Sequence, residues 1–299
     1  MLPVSSRRTL ALLTAEGLVV ALALGAGHAF GGPVASEAAG PDPVVSRGLA
    51  HTTRDEALVE TAIDRANVLL TTTGNRLRAA WRAASGPPAE PSLPVYLVEA
   101  PADAAATPAA VPRGCACIFV NPSLLAAWVR THSTGPGRMQ LDPSYLLTFM
   151  LLHEVGHIAQ GSAAGEFANG AMSALNIEPT VAKANEEKAD EFAAGLIRHH
   201  AGQVSGASLP ANWVAIELTK LGWNMQAYRT LDEFGAAATG KPAVFFDAAY
   251  SHPNLAWRML RSNHLIQQTA ATRQLLEAFE EARRRGSSPV RLYPPVSTK

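Results

Sequence analysis

Residues 151–161 read LLHEVGHIAQG. The pattern places His153 and His157 four positions apart, with Glu154 between them. On a helix, two residues four apart lie one above the other on one face. The two imidazoles can then share a metal ion, and Glu154 stands beside them. Residues 145–152, Tyr-Leu-Leu-Thr-Phe-Met-Leu-Leu, are apolar almost all round, which predicts a central helix rather than a surface one. Asp142-Pro143 supplies its start, with Asp142 as N-cap and Pro143 at the first helical position. A central helix carrying two imidazoles and a carboxylate needs partners for them, because buried ionisable groups are costly unless paired or metal-bound.

His-Glu-x-x-His is the pattern in which two histidines hold zinc and the glutamate is a general base. A five-residue pattern with two open positions also arises by chance, so a third ligand is needed. Catalytic zinc takes three protein ligands and keeps one position open. The place for a third histidine of the metzincin extension is Ala163, which excludes that branch. Downstream, residues 185–195 read NEEKADEFAAG. Glu186 and Asp190 share a helix face. Glu186 is the expected ligand, with Glu187 as the alternative. Asp190 is placed to accept the second ring N–H of a ligand histidine and so fix its tautomer.

HEVGH followed by Glu-x-x-Ala-Asp resembles the gluzincin zinc peptidases. It is most similar to the M48 group of HtpX-like and CAAX-prenyl proteases, in its soluble, exported form. Ser251-His252-Pro253 before residues 254–261 resembles the group's S/T-H-P segment, and residues 118–125 resemble the strand and turn ahead of its active-site helix. The resemblance covers roughly residues 94–261. It implies a zincin-like α+β fold, mainly helical with a small sheet, and one Zn2+ per chain on His153, His157 and Glu186. It also implies Glu154 as the base acting on zinc-bound water, and residues 114–119 as a cleft-edge strand that pairs with an extended peptide. His252 is either a donor to the developing oxyanion or a structural histidine held by Ser251 and Pro253. Asn185-Glu186 with Asp190 also resembles the thermolysin pattern.

The 299 residues, 47% hydrophobic, suffice for one large or two small domains with a substantial core. Lys and Arg equal Asp and Glu at 25 each, so no whole-chain field draws nucleic acid or an anionic membrane. The expected partner is a protein or peptide substrate. Residues 1–29 read as an export signal. Arg7-Arg8 is a basic start of twin-arginine type, an apolar stretch follows, and Gly27-His28-Ala29 supplies small residues near a cleavage point. The apolar run is about half the ~20 residues a spanning helix needs. Export to the periplasm or beyond follows, with membrane contact only through an uncleaved N-terminus. Residues 30–50 form a linker, 51–285 the peptidase domain and 286–299 a disordered tail.

Within the domain, helix is expected over residues 53–85, 123–131, 180–200, 211–234, 253–268 and 271–285, and strand over 94–99 and 115–121. Residues 101–112 are expected to be a flexible loop, and 162–179 to cross the cleft rim. Cys115 and Cys117, the two cysteines, are expected as buried thiols, since a bond between near neighbours is unusual. His132 is expected as a solvated loop histidine, and His199 and His200 as cations at a helix C-terminus.

The function that follows is zinc-dependent hydrolysis of peptide bonds in cell-envelope proteins. Two other classes stay open. One is a zinc-binding quality-control or chaperone-like factor with latent peptidase activity behind the loops at 101–112 and 162–179. The other is a binding protein with a decayed site.

Overall fold

The computed structural model describes residues 52–81, 92–98, 107–111, 116–164, 179–203, 205–226 and 255–286. They form a mainly helical α+β fold with one small sheet. In chain order the elements are α1 (Thr53–Leu70), β1 (Leu77–Ala79), β2 (Leu93–Leu97), β3 (Ala109–Ala110), β4 (Ile118–Val120), α2 (Pro122–Ser133), α3 (Pro143–Ala164), α4 (Pro179–Ala201), α5 (Ser208–Gln226), α6 (Leu255–Gln267) and α7 (Ala270–Gly286). None of these helices is long and apolar enough to cross a membrane.

Helix α1 opens on a capping box in which Thr52 accepts from the Asp55 amide and Asp55 accepts from the Thr52 amide. It buries Val59, Ala62, Ile63, Ala66, Leu69 and Leu70. The helix expected over 53–85 ends at Leu70 instead. Thr71-Thr72-Thr73 is a run of β-branched residues, and Gly74 takes a left-handed φ of 72°. The chain then turns into β1, which the periodicity alone had assigned to the helix. Asn67 occupies the edge of β1, donating Nδ2 to the Leu77 carbonyl and accepting the Leu77 amide. That edge is thereby closed to further pairing.

The strand order is β1-β2-β4-β3, parallel except where β3 runs against β4. Ala109 pairs with Val120, so part of the expected 101–112 loop is an edge strand. Asn121 then caps α2 by accepting the Leu124 amide at 2.9 Å.

Helix α3 sits at the centre, between α1, α4 and α5. Its Leu146, Leu147, Phe149, Leu151, Leu152 and Val155 are buried on all sides, as its sequence requires. Asp142 caps its start, its Oδ1 accepting the Ser144 amide at 2.8 Å. The approach to this helix is pinned by α5. Asn224 pairs with both backbone groups of Met139, each at 2.7 Å, and buried Glu217 accepts the Asp142 amide at 2.9 Å.

Three further expectations are corrected. His132 is a buried member of α2, its Nδ1 2.8 Å from the Trp128 carbonyl, and burial lowers its pKa. His200 is also buried, its Nε2 3.0 Å from the Leu69 carbonyl at the end of α1. Cys117 is buried and disulfide-bonded rather than a thiol; Cys115, the other cysteine of the chain, lies outside the described residues. The export signal and linker, the 286–299 tail beyond Gly286, and Ser251-His252-Pro253 lie outside them too.

Candidate metal centre

His153, Glu154 and His157 all lie on α3, and Glu186 and Asp190 on α4. The two helices meet closely because Gly156 faces Ala189. A Cβ at position 156 would lie 3.0 Å from the Ala189 Cα and 3.2 Å from both its carbonyl oxygen and the Phe192 Cβ. The glycine inside the motif is therefore what lets a ligand on α4 come within reach of two on α3.

His153, His157 and Glu186 form one group whose ligand atoms all lie within 4.8 Å of one another. His153 Nε2 and His157 Nε2 are 3.0 Å apart. Glu186 Oε2 is 3.4 Å from His153 Nε2, and Oε1 is 3.3 Å from His157 Nε2. A tetrahedral ion with metal–ligand bonds near 2.05 Å needs its ligands about 3.3 Å apart. Two imidazole nitrogens and a carboxylate at these separations fit such an ion. His153, Glu186 and Asp190 are buried, while His157 is partly exposed, so the cluster faces solvent on the His157 side. Glu187, the alternative ligand, is outside the group.

Asp190 Oδ1 lies 2.9 Å from His153 Nδ1, which directs His153 Nε2 toward Glu186 and His157. Glu154 is buried one position along α3 from His153, and no side chain among the described residues hydrogen-bonds its carboxylate.

One charged residue of the site went unread in the sequence. Arg258, on α6, reaches two carboxylates of α4, Glu186 and Asp190. Its Nη1 is 2.9 Å from Glu186 Oε2, its Nε donates to Asp190 Oδ2 at 2.8 Å and its Nη2 donates to Asp190 Oδ1 at 2.9 Å. The signal was present: Arg258 interrupts the apolar run Leu255-Ala256-Trp257 and Met259-Leu260, and a cation there needs an anion. Nothing in the local pattern says which one.

The electrostatics follow from this contact set. Burial disfavours the charged forms of Glu186 and Asp190, yet the Arg258 charge and the His153 hydrogen bond outweigh it. Glu186 is held well below the usual carboxylate range and Asp190 at about 2. Burial likewise opposes protonation of His153, but Asp190 and Glu186 together push its pKa up to about 10.

Comparison of the chain with protein-family models, curated proteins and solved structures finds no match.

Proposed function

We propose that this chain is a zinc-dependent endopeptidase of gluzincin type with a zincin-like fold, most similar to the soluble M48 peptidases. The observation that carries the reading is the His153, His157 and Glu186 triangle, with Asp190 behind His153. Its donor set of two imidazoles and one carboxylate is the catalytic zinc set that leaves a position open.

Zinc bound there would polarise a scissile carbonyl and bring the pKa of a water to about 7. The protein's own groups do the rest. His153 and His157 offer neutral nitrogens, the first oriented by Asp190. Glu154 takes a proton from the attacking water and hands it to the leaving amine. The expected substrate is an extended peptide in a protein of the cell envelope, reached by export through residues 1–29. The balanced charge of the whole chain offers no field for nucleic acid. His252, expected near the oxyanion, lies outside the described residues.

The direct test is Glu154→Gln. The variant should keep zinc and fold while losing hydrolysis of unfolded casein. Retained hydrolysis removes Glu154 from the role of base. Zinc binding without any cleavage by the wild type moves the reading to the latent, chaperone-like class.

A further inference from the structure

Glu154, Glu186 and Asp190 place three buried carboxylates in one small region. A divalent ion with neutral imidazoles balances two of them. Arg258 carries the charge that balances the third, and buried charge of this kind persists only when paired. Its placement is also unequal. The guanidinium gives Nε and Nη2 to the two oxygens of Asp190, and Nη1 to a single oxygen of Glu186, Oε2. The other oxygen, Oε1, lies 3.3 Å from His157 Nε2 and carries no contact to Arg258 closer than that of Oε2, which is itself 3.4 Å from His153 Nε2. Asp190 Oδ1 meets both Arg258 Nη2 and His153 Nδ1, each at 2.9 Å.

We propose that Arg258 is a positioning residue that sets how Glu186 and His153 meet the metal. By holding Oε2, it limits Glu186 to one donor oxygen and so keeps the fourth coordination position open. By holding Asp190, it fixes the acceptor that orients the His153 ring. The proposal rests on the metal-centre reading above. A planar, forked cation is required, because one lysine ammonium cannot span three oxygens of two carboxylates in fixed directions. Arg258 stands 68 residues beyond Asp190 in the chain, so the centre is completed only when α6 docks on α4.

The test uses the full chain loaded with zinc, wild type and Arg258→Lys. X-ray absorption reads the zinc coordination shell, competition with a chromophoric chelator reads the affinity, and circular dichroism compares helix content. Wild type should show one oxygen from Glu186 in a four-coordinate shell. Arg258→Lys should keep its helix content, admit a second carboxylate oxygen to the shell and bind zinc roughly 10- to 100-fold more weakly. A guanidinium that merely clamps α6 to α4 would change the melting temperature and leave the shell as it was. Two-oxygen ligation in the wild type overturns the proposal with no variant needed, even if Arg258→Lys fails to fold. So does a lysine variant with the wild-type shell and affinity. Absence of zinc from the wild type overturns instead the reading on which the proposal rests, and the proposal with it.

Discussion

Asp190 Oδ1 lies 2.9 Å from His153 Nδ1, a contact between adjacent helices that links a candidate ligand to a fully buried carboxylate. It makes the tautomer of His153 a consequence of the fold. Asp190→Asn keeps an acceptor oxygen but removes the charge. Zinc affinity should fall by roughly 10- to 100-fold. Loss of one partner from a buried ion pair should also cost about 3–5 kcal/mol in stability, since Arg258 loses its main anion. Chelator competition and urea unfolding check both. An asparagine variant with unchanged affinity would leave Asp190 with no part in the centre.

Proton release should accompany metal binding. In the metal-free protein His153 is pushed up to about 10, whereas a metal ligand must be neutral. Zinc binding near neutral pH should therefore expel the His153 proton, and apparent affinity should rise with pH until about 10. Calorimetry in two buffers of different ionisation enthalpy measures the protons released. Zero release would contradict the contact of His153 with Asp190 and Glu186 in the metal-free state.

The same groups set the pH dependence of the metal-free fold. A raised histidine pKa stabilises while the group is charged. That contribution is complete below the ordinary value of 6.5 and is lost as pH rises from 6.5 to about 10. Asp190 works in the opposite sense. Its contribution is present above the ordinary value of 3.8 and is lost as pH falls from 3.8 to about 2. Glu186, held well below its ordinary value, adds to the acid limb in the same sense. Metal-free protein should thus lose stability at both limits, and Asp190→Asn should remove the Asp190 share of the acid limb while leaving that of Glu186. Chemical unfolding across pH measures this.

Gly156→Ala should be harmful despite the better helix propensity of alanine. The gain from propensity is about 1 kcal/mol, while forcing a methyl into a packed helix contact costs about 1–3 kcal/mol. Here the methyl would meet backbone, at 3.0 Å from the Ala189 Cα, which cannot swing aside as a side chain would. Separating α3 from α4 also separates Glu186 from the two histidines. Melting temperature and zinc affinity should fall together. An unchanged or raised melting temperature would show that the helices have room.

Much of the centre was legible because its determinants are local. The four-residue spacings of His153 with His157 and of Glu186 with Asp190 define helix faces, and Asp142-Pro143 marks where α3 begins. The rest depends on contacts between distant segments. Arg258 finds Glu186 and Asp190 only when α6 packs on α4. His132 and His200 look like surface residues in a linear reading, but each is buried against a backbone carbonyl. Strand β1 was masked by apolar residues that continue the period of α1, and the break at Gly74 decides against them. The two-residue strand β3 has no signal of its own, since Ala109 and Ala110 pair only because β4 offers an edge.

The most direct measurement is the zinc content of the purified chain, wild type beside Glu186→Ala, with casein cleavage followed with and without chelator. About one zinc per wild-type chain, lost in the variant, with cleavage that stops on chelation, is the expected result. A wild-type chain that binds no zinc would contradict the assignment of His153, His157 and Glu186 as a metal centre.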